Sequence, residues 1–169
     1  MEATVKIYSL SYSNVRTYLF ASFFILGNLA LPQFCHLFPQ GGMIWLPIYF
    51  FTLIAAYKYG WKVGLLTAVF SPIINSVLFG MPAPIVLPAI LTKSVLLALS
   101  AGIVSHRFNR ISIPILLAVV LAYQVIGTLF EWAFVGNLFS AVQDFRMGIP
   151  GMIAQVFVGY FFIKYLLAK

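Results

Sequence analysis

Six apolar runs, separated by short polar or turn-forming stretches, divide the chain at residues 17–34, 42–57, 61–79, 84–106, 113–135 and 149–167. A membrane-crossing helix needs about 17–25 predominantly apolar residues, and all but the second run meet that length. The pattern predicts an all-α integral membrane protein with six transmembrane helices in a single domain spanning residues 1–169. The second run is short and holds Pro47, which predicts a kink or an incomplete crossing. Residues 1–16 mix Thr, Ser, Tyr, Lys and Arg; they are expected to form a cytoplasmic arm, with a short interfacial helix as one option. The first run is too long for the apolar region of a cleaved signal and lacks a small-x-small exit. Turn chemistry is strong at Phe79-Gly80-Met81-Pro82-Ala83-Pro84 and at Gly148-Ile149-Pro150-Gly151.

Charge gives the pattern a direction. Of the 10 Lys and Arg residues, Lys6, Arg16, Lys58, Lys62, Arg107, Arg110, Lys164 and Lys169 fall in the arm and in alternate connections. The intervening connections, 35–42 and 79–84, carry no charge, and 136–148 holds only Asp144 and Arg146, which cancel. By the positive-inside rule the basic segments and both termini are expected to be cytoplasmic.

With 63% hydrophobic and 8% charged residues, the composition excludes a soluble globule, which carries about a quarter charged residues. Six spans leave no room in these residues for a soluble catalytic or ATP-binding domain. A net charge of +7 in a soluble protein would suggest nucleic acid. Here the basic residues flank apolar runs, so no nucleic-acid partner is expected and the charge reads as topology and contact with anionic lipid. The lone Cys35 excludes an intrachain disulfide. No phosphate-binding loop, zinc helix, nucleophile elbow or acid–base carboxylate pair is present, so no enzymatic activity and no resident cofactor are expected.

Polar groups inside the runs are the candidates for function, because a charge at the helix centre costs on the order of 2.5–3.5 kcal/mol on insertion scales. Lys93, flanked by Thr92 and Ser94, is expected to face the bundle interior. Glu131 is either its structural counter-ion or a separate ligand contact, and Lys93 itself tilts the expected solute toward an anion. Asn75, Gln124 and Gln155 are helix–helix hydrogen-bonding residues or ligand contacts. Trp45, Tyr49 and Trp132 belong either to an interfacial belt or to the wall of a pocket. His36, at the outer mouth of the first run, is a further contact, and Cys35 or His36 can serve as an axial metal ligand. Pro32, Pro39, Pro47, Pro72, Pro82, Pro84, Pro88 and Pro150 lie in or near the outer half, where broken backbone and hence a pocket are expected. Gly60, Gly64 and Ala68 recur every four residues and predict a smooth helix-packing stripe, with Ala98 and Gly102 as a shorter one.

One combination of motifs goes further. Leu31-Pro32, His36, Gly41-Gly42, Leu46-Pro47, Gly60 and Gly64, Ser71-Pro72, Gly80-Met81-Pro82, Leu87-Pro88 and Gly148-Ile149-Pro150-Gly151 with Gln155 together resemble the substrate-binding S components of energy-coupling factor (ECF) transporters, vitamin-uptake branch, over roughly residues 18–165. The resemblance implies a six-helix fold in a bacterial inner membrane that binds a vitamin or related micronutrient near the outer surface. Its pocket would be closed by the loops after the first and third spans. It also implies a complex with a transmembrane T subunit and two cytoplasmic ATPases. S components carry an A-x-x-x-A surface on the first helix for the T subunit. Here Ala21 is followed four residues on by Ile25, leaving Ser22, Gly27 and Ala30 as nearby small residues and the Gly60, Gly64, Ala68 stripe as a substitute docking face. The competing expectation is a structural scaffold of the rod-shape (MreD-like) type, which has a similar length and span number but no occupied pocket.

Overall fold

The computed structural model describes residues 2–3 and 7–166; Lys6, Lys169 and Leu167, the end of the sixth apolar run, lie outside the described residues. Helix α1 spans Val15–Cys35 and starts where the Asn14 side chain accepts the Arg16 backbone N–H at 3.0 Å, an N-terminal cap that satisfies one of the orphan donors of the first turn. The second apolar run is broken as its proline predicts. Short helix α2, Gly41–Trp45, ends at Leu46 in a left-handed conformation (φ 46°, ψ 47°), a 3₁₀ turn follows at Pro47–Tyr49, and α3 continues as Phe50–Tyr59. Proline lacks the N–H that would continue the helix and pushes the preceding residue out of the right-handed region.

Helices α4 (Trp61–Phe79), α5 (Leu87–Phe108) and α6 (Ile113–Val135) follow, the last begun by Ser112, whose hydroxyl accepts the Ile115 N–H. After Gly136 come the short α7 (Leu138–Ala141) and α8 (Gln143–Met147), then α9 (Ile149–Phe161), which runs into a π-helical turn at Phe162–Leu166. Five stretches are long and apolar enough to cross a membrane, and the pair Leu138–Met147 and Ile149–Tyr165, bent by 45°, makes a sixth if taken as one broken span. Exposed Leu19, Phe23, Phe70, Ile103, Phe157 and Phe161 on the helix flanks give the bundle the apolar exterior that a lipid-facing surface requires.

The stretch Gly41–Tyr59 is the hub. Its best window is 67% buried, against 22–39% for the other four long stretches, and α3 packs against α1, α4, α5 and α9. Leu53, Ile54, Ala55, Ala56 and Tyr57 are all fully buried, so this helix is covered on every side. At its start the buried Asn28 of α1 ties three helices: its amide donates to Thr52 Oγ1 (3.0 Å) and Ser71 Oγ (3.3 Å), its Oδ1 accepts the Phe51 N–H (3.2 Å), and its carbonyl accepts from Asn75 Nδ2 (2.8 Å). In hydrocarbon no solvent can replace these partners.

The two ends of the bundle differ in chemistry. At one end the arm runs extended instead of helical: Tyr8 and Leu10 donate their N–H groups to the carbonyls of Lys58 and Tyr59, and Glu2–Ala3 (β1) pairs antiparallel with Ile111–Ser112 (β2). The expected interfacial helix is absent from the described part of the arm because its backbone groups are taken by the α3–α4 connection. The Tyr57 hydroxyl donates to the Arg110 carbonyl at 2.7 Å, so the arm and both basic connections gather at this end. The opposite end holds α2, the α4–α5 connection, α7 and α8.

Replacing Asn28 with Leu removes the donor to the Thr52 and Ser71 hydroxyls and the acceptor of the Phe51 N–H. At about 0.6–1.7 kcal/mol per interhelical hydrogen bond, unfolding of the detergent-solubilised variant is expected to become easier by roughly 1–3 kcal/mol. Equal stability of wild type and Asn28→Leu would contradict this role.

Candidate functional site

Lys93 sits on the inward face of α5, in register with the buried Ser94, Leu97, Ala98 and Ala101. Its side chain is fully buried, and its ammonium donates to Glu131 Oε2 at 2.6 Å and Asp144 Oδ2 at 2.7 Å. These are short, charge-assisted contacts. Glu131 stands in the last turn of α6, one turn beyond Gly127. A methyl group at Gly127 would collide with Lys93 Cγ, so this glycine lets the lysine stem cross α6 on its way to the carboxylates. Asp144 comes from the short α8, folded back over the bundle end.

Two carboxylates around one ammonium leave one formal negative charge. Their side chains are 16% and 24% exposed, while Lys93 is at 0%, so the negative groups face outward and the cation lies behind them. A carboxylate accepts up to about four hydrogen bonds. Among the described residues, Glu131 Oε1 and Asp144 Oδ1 accept none.

Above the carboxylates lies a cavity of about 350 Å³ at the end opposite the basic connections, within the usual range of small-molecule sites, about 300–1,000 Å³. Glu131, Asp144 and Gln143 form one side. The end of α1 with His36, the Gly42–Tyr49 segment, and Met81, Pro82, Val86 and Ile90 from the α4–α5 connection and α5 form the others. The walls are mostly apolar, with two methionines, Met43 and Met81, as deformable surfaces.

The break at Leu46-Pro47 places Tyr49 in this wall. Its ring packs on Tyr123 with centroids 5.4 Å apart, and its hydroxyl is buried without a hydrogen-bond partner among the described residues. Tyr123 in turn donates to Gln155 Oε1 at 3.0 Å. Glycines set the position of α2: a Cβ at Gly151 would meet the Trp45 carbonyl and one at Gly148 the Leu46 side chain, so the Gly-Ile-Pro-Gly turn is where α2 seats on α9. The His36 ring lies over Gly42.

Of the sequence candidates, Glu131, Tyr49 and His36 line the cavity, and Lys93 braces Glu131 from behind without lining it. The tilt toward an anionic solute is therefore corrected: the ammonium is consumed by two carboxylates, and these are what the cavity presents. Trp45 and Trp132 are half-exposed and outside the lining. Asn75 belongs to the Asn28 network and also accepts from Gln33 at 3.4 Å. Gln155 anchors Tyr123, and Gln124 is fully buried with neither amide atom bonded among the described residues. Gly60, Gly64 and Ala68 are buried by this chain's own α3 and arm, Gly64 against Ala56 and Gly60 against the Tyr8 carbonyl. That stripe is an internal packing seam and is closed to a partner. Gly27 packs on Phe51, whereas Ser22 and Ala30 remain on the exposed face of α1. Cys35 is a free thiol at the end of α1, and no group of three or more His, Cys, Asp or Glu side chains that could hold a metal ion occurs among the described residues.

Asp144 is the candidate site residue that sequence reasoning missed, because it was counted only as cancelling the charge of Arg146 two positions on. Residues two apart on a helix do not face each other. Arg146 instead lies over the Phe139 ring at 4.7 Å, which frees Asp144 for Lys93. No family model, no curated protein and no solved structure matches this chain.

Lys93→Met is expected to destabilise the folded protein by about 1–3 kcal/mol, less than the 3–5 kcal/mol for breaking a fully buried pair because both carboxylates reach the cavity. Adding Glu131→Gln and Asp144→Asn to Lys93→Met is expected to recover most of that loss in a detergent unfolding titration. A triple variant as unstable as the sum of its parts would contradict the charge-cluster account.

Proposed function

We propose that this chain is a non-catalytic capture subunit for a small polar micronutrient, the substrate-binding S component of an ECF-type transporter in a bacterial inner membrane. One observation supports the reading: a cavity with a charged floor stands at the bundle end opposite the basic connections. With the basic end cytoplasmic by the positive-inside rule, that cavity opens to the outside, where an importer meets its solute. A rod-shape scaffold has no use for such a cavity.

Uptake then depends on partners that hydrolyse ATP, a T subunit and two ATPases. The surface offered to the T subunit in this reading is the exposed face of α1, where Ser22 and Ala30 stand among Leu19, Phe23 and Leu26. This helix is the least buried of the long stretches, at 22%. Small residues let a partner helix approach closely, and the large apolar ones supply area.

Two measurements check the proposal. In a Cys35→Ala background, Ser140→Cys at the cavity rim is expected to react with a membrane-impermeant maleimide on intact cells, and Lys62→Cys only after permeabilisation; the reverse order would overturn the orientation. Detergent-purified protein incubated with deproteinised yeast extract is expected to retain one small molecule, seen as a discrete mass increment by native mass spectrometry. Retention of nothing, with the chain co-isolating with cell-wall assembly proteins, would favour the scaffold.

A further inference from the structure

Resting on the capture reading, we infer that the ligand is a small organic cation with at least two hydrogen-bond donors, such as a protonated amine or amidinium-like heterocycle. Four independent features of the cavity converge on this. Glu131 and Asp144 share one ammonium, so the floor keeps one uncompensated negative charge. Lys93 is sealed behind them at 0% exposure and does not line the cavity, so it offers nothing to an anionic ligand. Each carboxylate has one oxygen that accepts no hydrogen bond among the described residues. The fourth feature is Tyr49, which lines the same cavity and whose hydroxyl is buried without a partner among the described residues. An unmade bond of that kind costs about 1–3 kcal/mol, and a ligand donor or acceptor placed beside it would remove the cost.

The remaining surroundings fit the same chemistry. The other walls are largely apolar or sulfur-bearing, with Met43, Met81, Pro47 and Ile90, so a flat or compact apolar body with its cationic end toward Glu131 and Asp144 would lie against apolar surface. Among the described residues His36, at the C-terminal cap of α1, is the one cavity-lining side chain that can carry a positive charge. A ligand cation restores neutrality to the floor. A ligand carboxylate would place a third negative group against two others.

The retained compound from yeast extract tests this. Released by denaturation, it is expected to migrate as a cation in capillary electrophoresis at pH 7. Glu131→Gln leaves a neutral Lys93–Asp144 pair, so the fold is kept while the excess charge is lost, and affinity for the released compound is expected to fall about tenfold or more. Tyr49→Phe, which deletes an unpartnered group and leaves nothing newly unpaired, is expected to weaken binding roughly two- to tenfold; it provides the test if Glu131→Gln does not fold. A retained compound that migrates as an anion or a neutral species would overturn the cation assignment and leave capture standing, as would unchanged affinity in both variants. Retention of no compound at all would overturn the capture reading itself, and this inference with it.

Discussion

A fully buried ammonium organises this molecule. An isolated charge in an apolar interior costs several kcal/mol even after relaxation, so Lys93 on α5 must be met, and it is met twice, by Glu131 of α6 and Asp144 of α8. The first contact fixes the pairing of α5 with α6, for which Gly127 clears the path. The second ties α8 to α5, just before the 45° bend between Leu138–Met147 and Ile149–Tyr165. The cavity is the space left between the α7–α8 segment and the broken second span. Its negative floor follows from the two-to-one stoichiometry of the cluster.

The break at Leu46-Pro47 does complementary work. A continuous helix through residues 41–59 would carry α2 straight out of the bundle. The left-handed Leu46 and the 3₁₀ turn instead lay α2 onto the glycines at the start of α9 and aim Tyr49 at the cavity. Below the break, α3 is enclosed on all sides, and Asn28 satisfies the Phe51 N–H and the hydroxyls of Thr52 and Ser71 without water. The break in the second span thus lies at the cavity end, where its irregular backbone lines the cavity.

How far the sequence disclosed this can be judged residue by residue. Hydrophobic run length marked the helices, because a span must be both long and uncharged, and Pro47 marked the break because a missing N–H has no substitute in a helix. The inward aim of Lys93 followed from the cost of a charge in hydrocarbon, and its contact with Glu131 was one of the two roles open to that acid. Asp144 did not follow, since opposite charges two residues apart invite a local pairing that helix geometry forbids. Nor did the division between Tyr49 and the tryptophans: Trp45, Trp132 and Tyr49 are alike in type and depth, and only the turn at Pro47 sends Tyr49 inward. The four-residue spacing of Gly60, Gly64 and Ala68 showed a close helix approach but not whose helix; the occupant is α3 of the same chain. Asn28, an amide well inside the first apolar run, was a visible signal that interhelical hydrogen bonds were required.

The arrangement of charge in the cluster, acids toward the cavity and ammonium behind, is most directly tested by residue-resolved chemical labelling of the intact protein in membranes. With an acylating reagent for amines and a carbodiimide with a small amine for carboxylates, peptide mass spectrometry is expected to find Lys62 acylated, Lys93 unmodified, and Glu131 and Asp144 amidated. Acylation of Lys93 at the rate of Lys62, with both carboxylates inert, would contradict it.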